Sequence, residues 1–226
     1  MLYLLDTANL ADIKHANEFY PLYGVTTNPS IISKEKAEFL PHIKAIREII
    51  GPDKMLCVQT MEKTAEDIVR DGEMLRDAIG GNFYLKVPIS EAGLKATPIL
   101  KSKGIGVLMT AIFTPAQALL SAKAGADFVA PYVNRLDNIV ADGCAALGEI
   151  VKQFEIYGMN CKVLAASFKN VEQVHKCASV GCHSVTVPLN ILQGIVSHPM
   201  TDMAVAGFDR DWAKVYGDKT IFDLVK

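Results

Sequence analysis

A lysine stands inside the apolar run FYLKVP at residues 83–88, where an ammonium would lose the water that stabilises it. Burial favours the neutral amine of a lysine, and a neutral amine attacks ketones to give a Schiff base. The protonated nitrogen of that adduct accepts the electron pair released when an adjacent carbon–carbon bond breaks. Lys86 in such a place points to aldol chemistry that needs no metal. The alternative is structural, a lysine that snorkels to a rim or pairs with Asp6. Polar residues follow the other apolar runs as well: Asp6 after LYLL, Thr26, Thr27 and Asn28 after YGV, Gln59 after MLCV, Thr110 after GVLM, Tyr132 and Arg135 after DFVAP, and Ser167 after KVLAA. Singly, each has an ordinary reading. Asp6 would cap a helix beginning near Ala8, Asn28 would make a turn before Pro29, and Ser167 would satisfy loop backbone. Together they describe donors and acceptors converging on one amine, which folding does not require.

A second group reads as an anion site. Arg135 follows the sixth run, and SFKN places Ser167 and Lys169 just ahead of a helix capped by Asn170. A phosphate there would meet a guanidinium, a hydroxyl and helix N-terminal amides. Arg135 paired with Asp137 at the surface is the competing reading.

These residues need a scaffold that brings run ends together. Eight short apolar runs without strict alternation, each followed by a helical pattern, predict a parallel sheet with covered strands. The helices carry start and stop signals: Thr64 and Asp67 then Gly80; Thr114, Pro115 and Gln117 then Gly125; Asn170 then Gly181. Eight such units without a linker predict an α/β fold, a single (β/α)8 TIM barrel over residues 1–226, whose strand C-termini surround the open mouth. A doubly wound open sheet competes, but it would carry a Gly-rich phosphate loop after an early strand, and no such loop occurs. In the fourth strand, alternation turns Phe83, Leu85 and Val87 toward the helices and Tyr84 and Lys86 into the barrel. Pro98 is expected to kink or split the helix that starts near Ser90. An additional C-terminal helix over 200–217 presents Phe208, Trp212 and Val215 on one face, to be covered by its own barrel or by a neighbouring subunit.

Composition narrows the function classes. The 226 residues are 50% hydrophobic with a net charge of -2, and show no basic cluster for nucleic acid or an anionic membrane. MLYLLDTANL lacks a basic n-region and meets Asp6 early, and no apolar stretch reaches membrane-spanning length, so a cytoplasmic protein acting on small molecules is expected. Five cysteines, an odd and scattered number, read as reduced thiols. Cys177, Cys182 and His183 lack the paired short spacings of a zinc site, and neither a metal nor another cofactor is expected.

The motifs LDTAN (5–9), GVTTNPSII (24–32), LKVPIS (85–90), QALLSAKAGA (117–126), VAPYVNRLD (129–137) and LAASFK (164–169) resemble the small transaldolase-like barrels, and within them the fructose-6-phosphate aldolase type. The resemblance implies Lys86 as the Schiff-base lysine. It further implies that Asp6, Asn28 and Thr26 contact substrate hydroxyls, that Arg135 and Ser167 hold the phosphate, and that Gln59, Thr110 and Tyr132 position a catalytic water. Transaldolases proper carry Glu where Gln59 stands and Phe where Tyr132 stands, so this pair is similar to the aldolase type. The implied reaction interconverts fructose 6-phosphate with dihydroxyacetone and glyceraldehyde 3-phosphate; the alternative is transfer of the dihydroxyacetone unit between sugar phosphates. Residues 138–144 depart from the usual aldolase pattern beside the phosphate position. The resemblance also implies a homo-oligomer, a pentamer or decamer in which the C-terminal helix crosses to a neighbour.

Overall fold

The computed structural model describes residues 1–225, and the chain divides into two compact units, the first Met1–Ile191 and the second from Leu192 onward. The first is a closed barrel of eight parallel strands in sequential order: β1 (Leu2–Asp6), β2 (Leu22–Thr26), β3 (Met55–Gln59), β4 (Phe83–Pro88), β5 (Gly106–Ile112), β6 (Phe128–Pro131), β7 (Lys162–Ala165) and β8 (Ser184–Val187). All eight lie on the runs that the sequence predicts, and β8 closes on β1 through Leu2↔Ser184 to Leu5↔Val187.

Alternation along the strands sorts the side chains. Leu4, Met55, Cys57, Leu108, Phe128, Ala130 and Leu164 fill the interior, with Tyr84 packed against them. Counting two residues further along each strand from this plug reaches Asp6, Gln59, Thr110 and Tyr132, and the step from Tyr84 reaches Lys86. The same parity that builds an apolar floor therefore delivers polar side chains to the mouth. Gly106 is part of that floor: a Cβ there would lie 2.5 Å from the Tyr84 ring.

Six of the eight strands lead into a helix whose N-terminus is capped by a side chain. Asn9, Asn28, Thr64, Ser90, Thr114 and Asn170 each accept a backbone N–H of the following helix, and Thr114 forms the expected capping box with Gln117. Asp6 is not a cap, because the first helix begins at Leu10 and uses Asn9. Nor does Pro98 split its helix, which runs unbroken over Glu91–Ser102. Pro98 is exposed and Leu94 half-buried, so the Leu94 carbonyl that loses its N–H partner can turn to water.

All five cysteines are buried. Burial pushes the Cys57 and Cys161 thiols up to about 12 and Cys182 to about 11. Cys177 lies 3.6 Å from Cys144, Cys182 donates to the Ser184 carbonyl, and His183 accepts the Val163 N–H, so the three residues are spent on packing and backbone contacts. A thiol-reactive dye at pH 8 is expected to label no cysteine of the native protein and all five after denaturation; rapid native labelling would contradict this burial.

The second unit contains the C-terminal helix, Pro199–Tyr216, capped by His198 and ended at Gly217 with φ 62°. Trp212 donates to the Lys219 carbonyl and packs against Tyr216 with the ring centroids 4.5 Å apart and the planes tilted by 40°. Phe208 and Val215 are exposed on this helix.

Candidate active site

The mouth encloses a cavity of about 600 Å³ bordered by Asp6, Asn28, Gln59, Lys86, Tyr132, Arg135 and Ser167. Seven residues singled out from the sequence thus meet in one place. Thr26 and Thr110 stand one layer behind: Thr26 donates to Asp6 at 2.7 Å, and Thr110 Oγ1 lies 3.1 Å from the Tyr132 hydroxyl.

Lys86 is 3% exposed, and its Nζ donates to the Thr27 carbonyl at 3.2 Å. Strand register sets Gln59 beside it on β3. Asp6 is the single carboxylate among the described residues lining the cavity. Burial raises its carboxyl above the ordinary 3.8, against the opposing pulls of the Lys86 charge and the Thr26 hydroxyl. It therefore exchanges a proton at higher pH than a surface aspartate.

The same cavity is bordered by three cations. Arg135, Lys169 and Lys34 border the cavity together with Ser167. The alternative pairing of Arg135 with Asp137 is not what forms. The Arg135 guanidinium lies over the Tyr132 ring, 4.9 Å from its centroid, while Asp137 accepts from the Gly143 N–H and from Gln173. Residues 138–142 form the exposed turn after Arg135, with Val140 in the left-handed region at φ 63° and Asp142 capping the next helix.

Two further backbone positions are strained at this mouth. Ala111 (φ 59°) follows Thr110 where the β5–β6 register shifts, and Ser167 (φ 66°) lies two residues past the end of β7. Bulges and left-handed non-glycine residues gather where a strand must re-aim a side chain; here the first turns Thr110 toward Tyr132. Sequence reasoning did not single out Thr186, whose hydroxyl lies 2.6 Å from that of Thr26 and extends the network behind Asp6. Its signal was present, an inward polar residue in the last strand at the parity of Ser184.

The family model described as Transaldolase/Fructose-6-phosphate aldolase matches residues 3–220. A relative from Streptococcus pneumoniae (strain ATCC 700669 / Spain 23F-1), named "Probable fructose-6-phosphate aldolase", is 37% identical over 222 residues, 98% of this chain and 100% of that one. Among solved structures, a mandelate oxidase variant carrying an FMN adduct has a TM-score of 0.57 at 14% identity over 84% of this chain. The present chain spans 64% of that protein's length, and the likeness is one of fold alone.

Proposed function

The chain belongs to the transaldolase/fructose-6-phosphate aldolase family, and from that premise we propose that it is a class I aldolase cleaving fructose 6-phosphate to dihydroxyacetone and glyceraldehyde 3-phosphate. The observation that carries the reading is a buried amine, Lys86, opening onto a cavity with one carboxylate on its wall and three cations on its rim.

The substrate phosphate sits against Arg135, Ser167 and Lys169, and its C2 carbonyl faces Lys86. The Lys86 amine adds to C2, the carbonyl oxygen leaves as water, and an iminium remains. Asn28 joins Asp6 at the substrate hydroxyls, and Thr26, behind the cavity wall, holds the Asp6 carboxylate instead of touching substrate. Asp6 takes the proton of the C4 hydroxyl, the C3–C4 bond breaks, and its electron pair moves to the iminium nitrogen to give an enamine. Glyceraldehyde 3-phosphate departs. A water held by Gln59, Thr110 and Tyr132 then mediates protonation of C3; since a carboxamide cannot exchange a proton at neutral pH, the Tyr132 hydroxyl is the relaying group. Hydrolysis returns water to C2, freeing dihydroxyacetone and Lys86.

Transfer of the three-carbon unit to an acceptor aldose is the neighbouring reaction on this scaffold. The Tyr132–Thr110 contact favours release over transfer, because the Tyr132 hydroxyl relays the proton that discharges the enamine while Gln59 only holds the water. Incubation with fructose 6-phosphate alone is expected to liberate free dihydroxyacetone, and added erythrose 4-phosphate to change turnover by less than about twofold. Turnover that requires the acceptor and yields a seven-carbon sugar would identify a transaldolase instead.

The reading includes a cytoplasmic setting, consistent with five buried thiols and no disulfide among the described residues. It also includes a homo-oligomer, supported by the exposed Phe208 and Val215 on the C-terminal helix.

A further inference from the structure

Gln173 lies in the first turn of the helix Val171–Ser179, is 7% exposed and does not border the cavity. Its carboxamide nevertheless joins the two segments that carry the anion-binding groups. Nε2 donates to Asp137 Oδ2 at 2.6 Å and to Asn134 Oδ1 at 3.2 Å, two residues that bracket Arg135. Oε1 accepts the Lys169 N–H at 2.8 Å, two residues beyond Ser167. The orientation of the amide is chemically determined: the flipped form would set its NH2 against the Lys169 N–H and its oxygen against the Asp137 carboxylate.

These ties matter because neither segment holds its shape alone. The helix Val133–Asp137 has five residues, too few to be stable without tertiary contacts. Ser167 keeps its left-handed backbone, φ 66°, only if the surroundings hold it there. Two backbone bonds at the start of the helix, Val133 N–H to Ala166 O at 3.0 Å and Asn134 N–H to Ser167 O at 2.8 Å, link the segments directly, and the Gln173 amide adds the ties to Asn134, Asp137 and Lys169. Arg135 is exposed and rests on the Tyr132 ring, so the direction of its guanidinium follows the path of its backbone.

We propose that Gln173 is a positioning residue that sets the preference for a phosphorylated substrate by fixing Arg135 relative to the Ser167–Lys169 loop. This rests on the anion subsite assigned under the proposed function. Two substitutions test it: Gln173→Leu, which keeps the shape and removes all three bonds, and Asp137→Asn, which turns an NH2 group toward Gln173 Nε2 while keeping an oxygen for the Gly143 N–H. Kinetics of dihydroxyacetone addition would be measured with glyceraldehyde 3-phosphate and with unphosphorylated glyceraldehyde, together with inhibition by inorganic phosphate. Both variants are expected to raise KM for the phosphorylated aldehyde and Ki for phosphate about tenfold, with kcat for glyceraldehyde reduced less than about twofold. The proposal is overturned if both aldehydes lose equally, if neither changes, or if both variants fail to fold, which would assign the amide to stability. Wild type and Arg135→Ala separate this from failure of the underlying reading. If wild type prefers the phosphorylated aldehyde and Arg135→Ala loses that preference, the subsite stands and only Gln173 is in question; if wild type has no such preference, the subsite itself is wrong and the proposal falls with it.

Discussion

Lys86→Met is expected to reduce cleavage of fructose 6-phosphate by at least about 10⁴-fold while leaving the protein folded. No neighbouring group can replace the amine. Of the other two cavity lysines, Lys34 lies in the short 3-10 helix Ser33–Glu35 and Lys169 in the loop after the seventh strand, and neither is at the end of an inward-facing strand run. Methionine fits the position in shape, and the one hydrogen bond lost is that to the Thr27 carbonyl. The complementary result concerns the covalent adduct. Borohydride added to wild type with dihydroxyacetone should fix one reduced three-carbon unit per chain, and peptide mapping should place it on Lys86. An adduct on another lysine, or none while the ketone still binds, would remove the Schiff-base mechanism and leave a sugar-phosphate-binding barrel.

Asp6→Asn should lower kcat by about 10²- to 10⁴-fold, the range for loss of a positioned base. The substitution is close to isosteric, and its oxygen can still accept the Thr26 hydroxyl, so the loss reports the carboxylate rather than the hydrogen bond. The pH profile separates this from a packing defect. A base works only when ionised, and burial holds the Asp6 proton above the ordinary 3.8, so the cleavage rate of wild type should fall on the acid side with a midpoint above that value. The same limb should vanish in the variant.

Stability should move in the opposite direction. Because the folded state keeps the Asp6 proton to higher pH than the unfolded state does, the fold binds more protons between the two pKa values and loses stability as pH rises through that window. Ionised Asp6 is a cost to the fold at neutral pH, even with the attraction of Lys86 included. Asp6→Asn should therefore melt no lower than wild type at pH 7. A marked drop in melting temperature would mean that the carboxylate supports the fold, and the kinetic loss could then not be assigned to chemistry.

Local rules made much of this molecule legible. The eight strands, the caps at Thr64, Thr114 and Asn170, and the inward direction of Lys86 all follow from spacing over a few residues, which the chain carries wherever it folds. Side chains that alternate along a strand need only the closure of the sheet to become a floor and a mouth. The ring of Asp6, Asn28, Gln59, Lys86, Tyr132, Arg135 and Ser167 was visible because each lies at the end of an apolar run or within a few residues of it.

Contacts between distant segments were not legible. Gln173 sits in VEQVHKCASVG, where its type and spacing mark only a helix; its importance comes from Asp137, 36 residues away. Thr186 meets Thr26 across 160 residues, at the closure of β8 on β1. Pro98 breaks a local rule without breaking its helix, because the tertiary structure leaves it on the solvent side. Arg135 has an acid two positions along, yet the fold gives that acid to Gln173 and stacks the guanidinium on Tyr132. The sequence alone thus determined the strand pattern and which side chains face the mouth, since both are set by neighbours along the chain. Which of those side chains share a proton, a charge or a fixed orientation was decided by the tertiary structure, because hydrogen bonds act over about 3 Å and only the closed barrel brings those partners within reach.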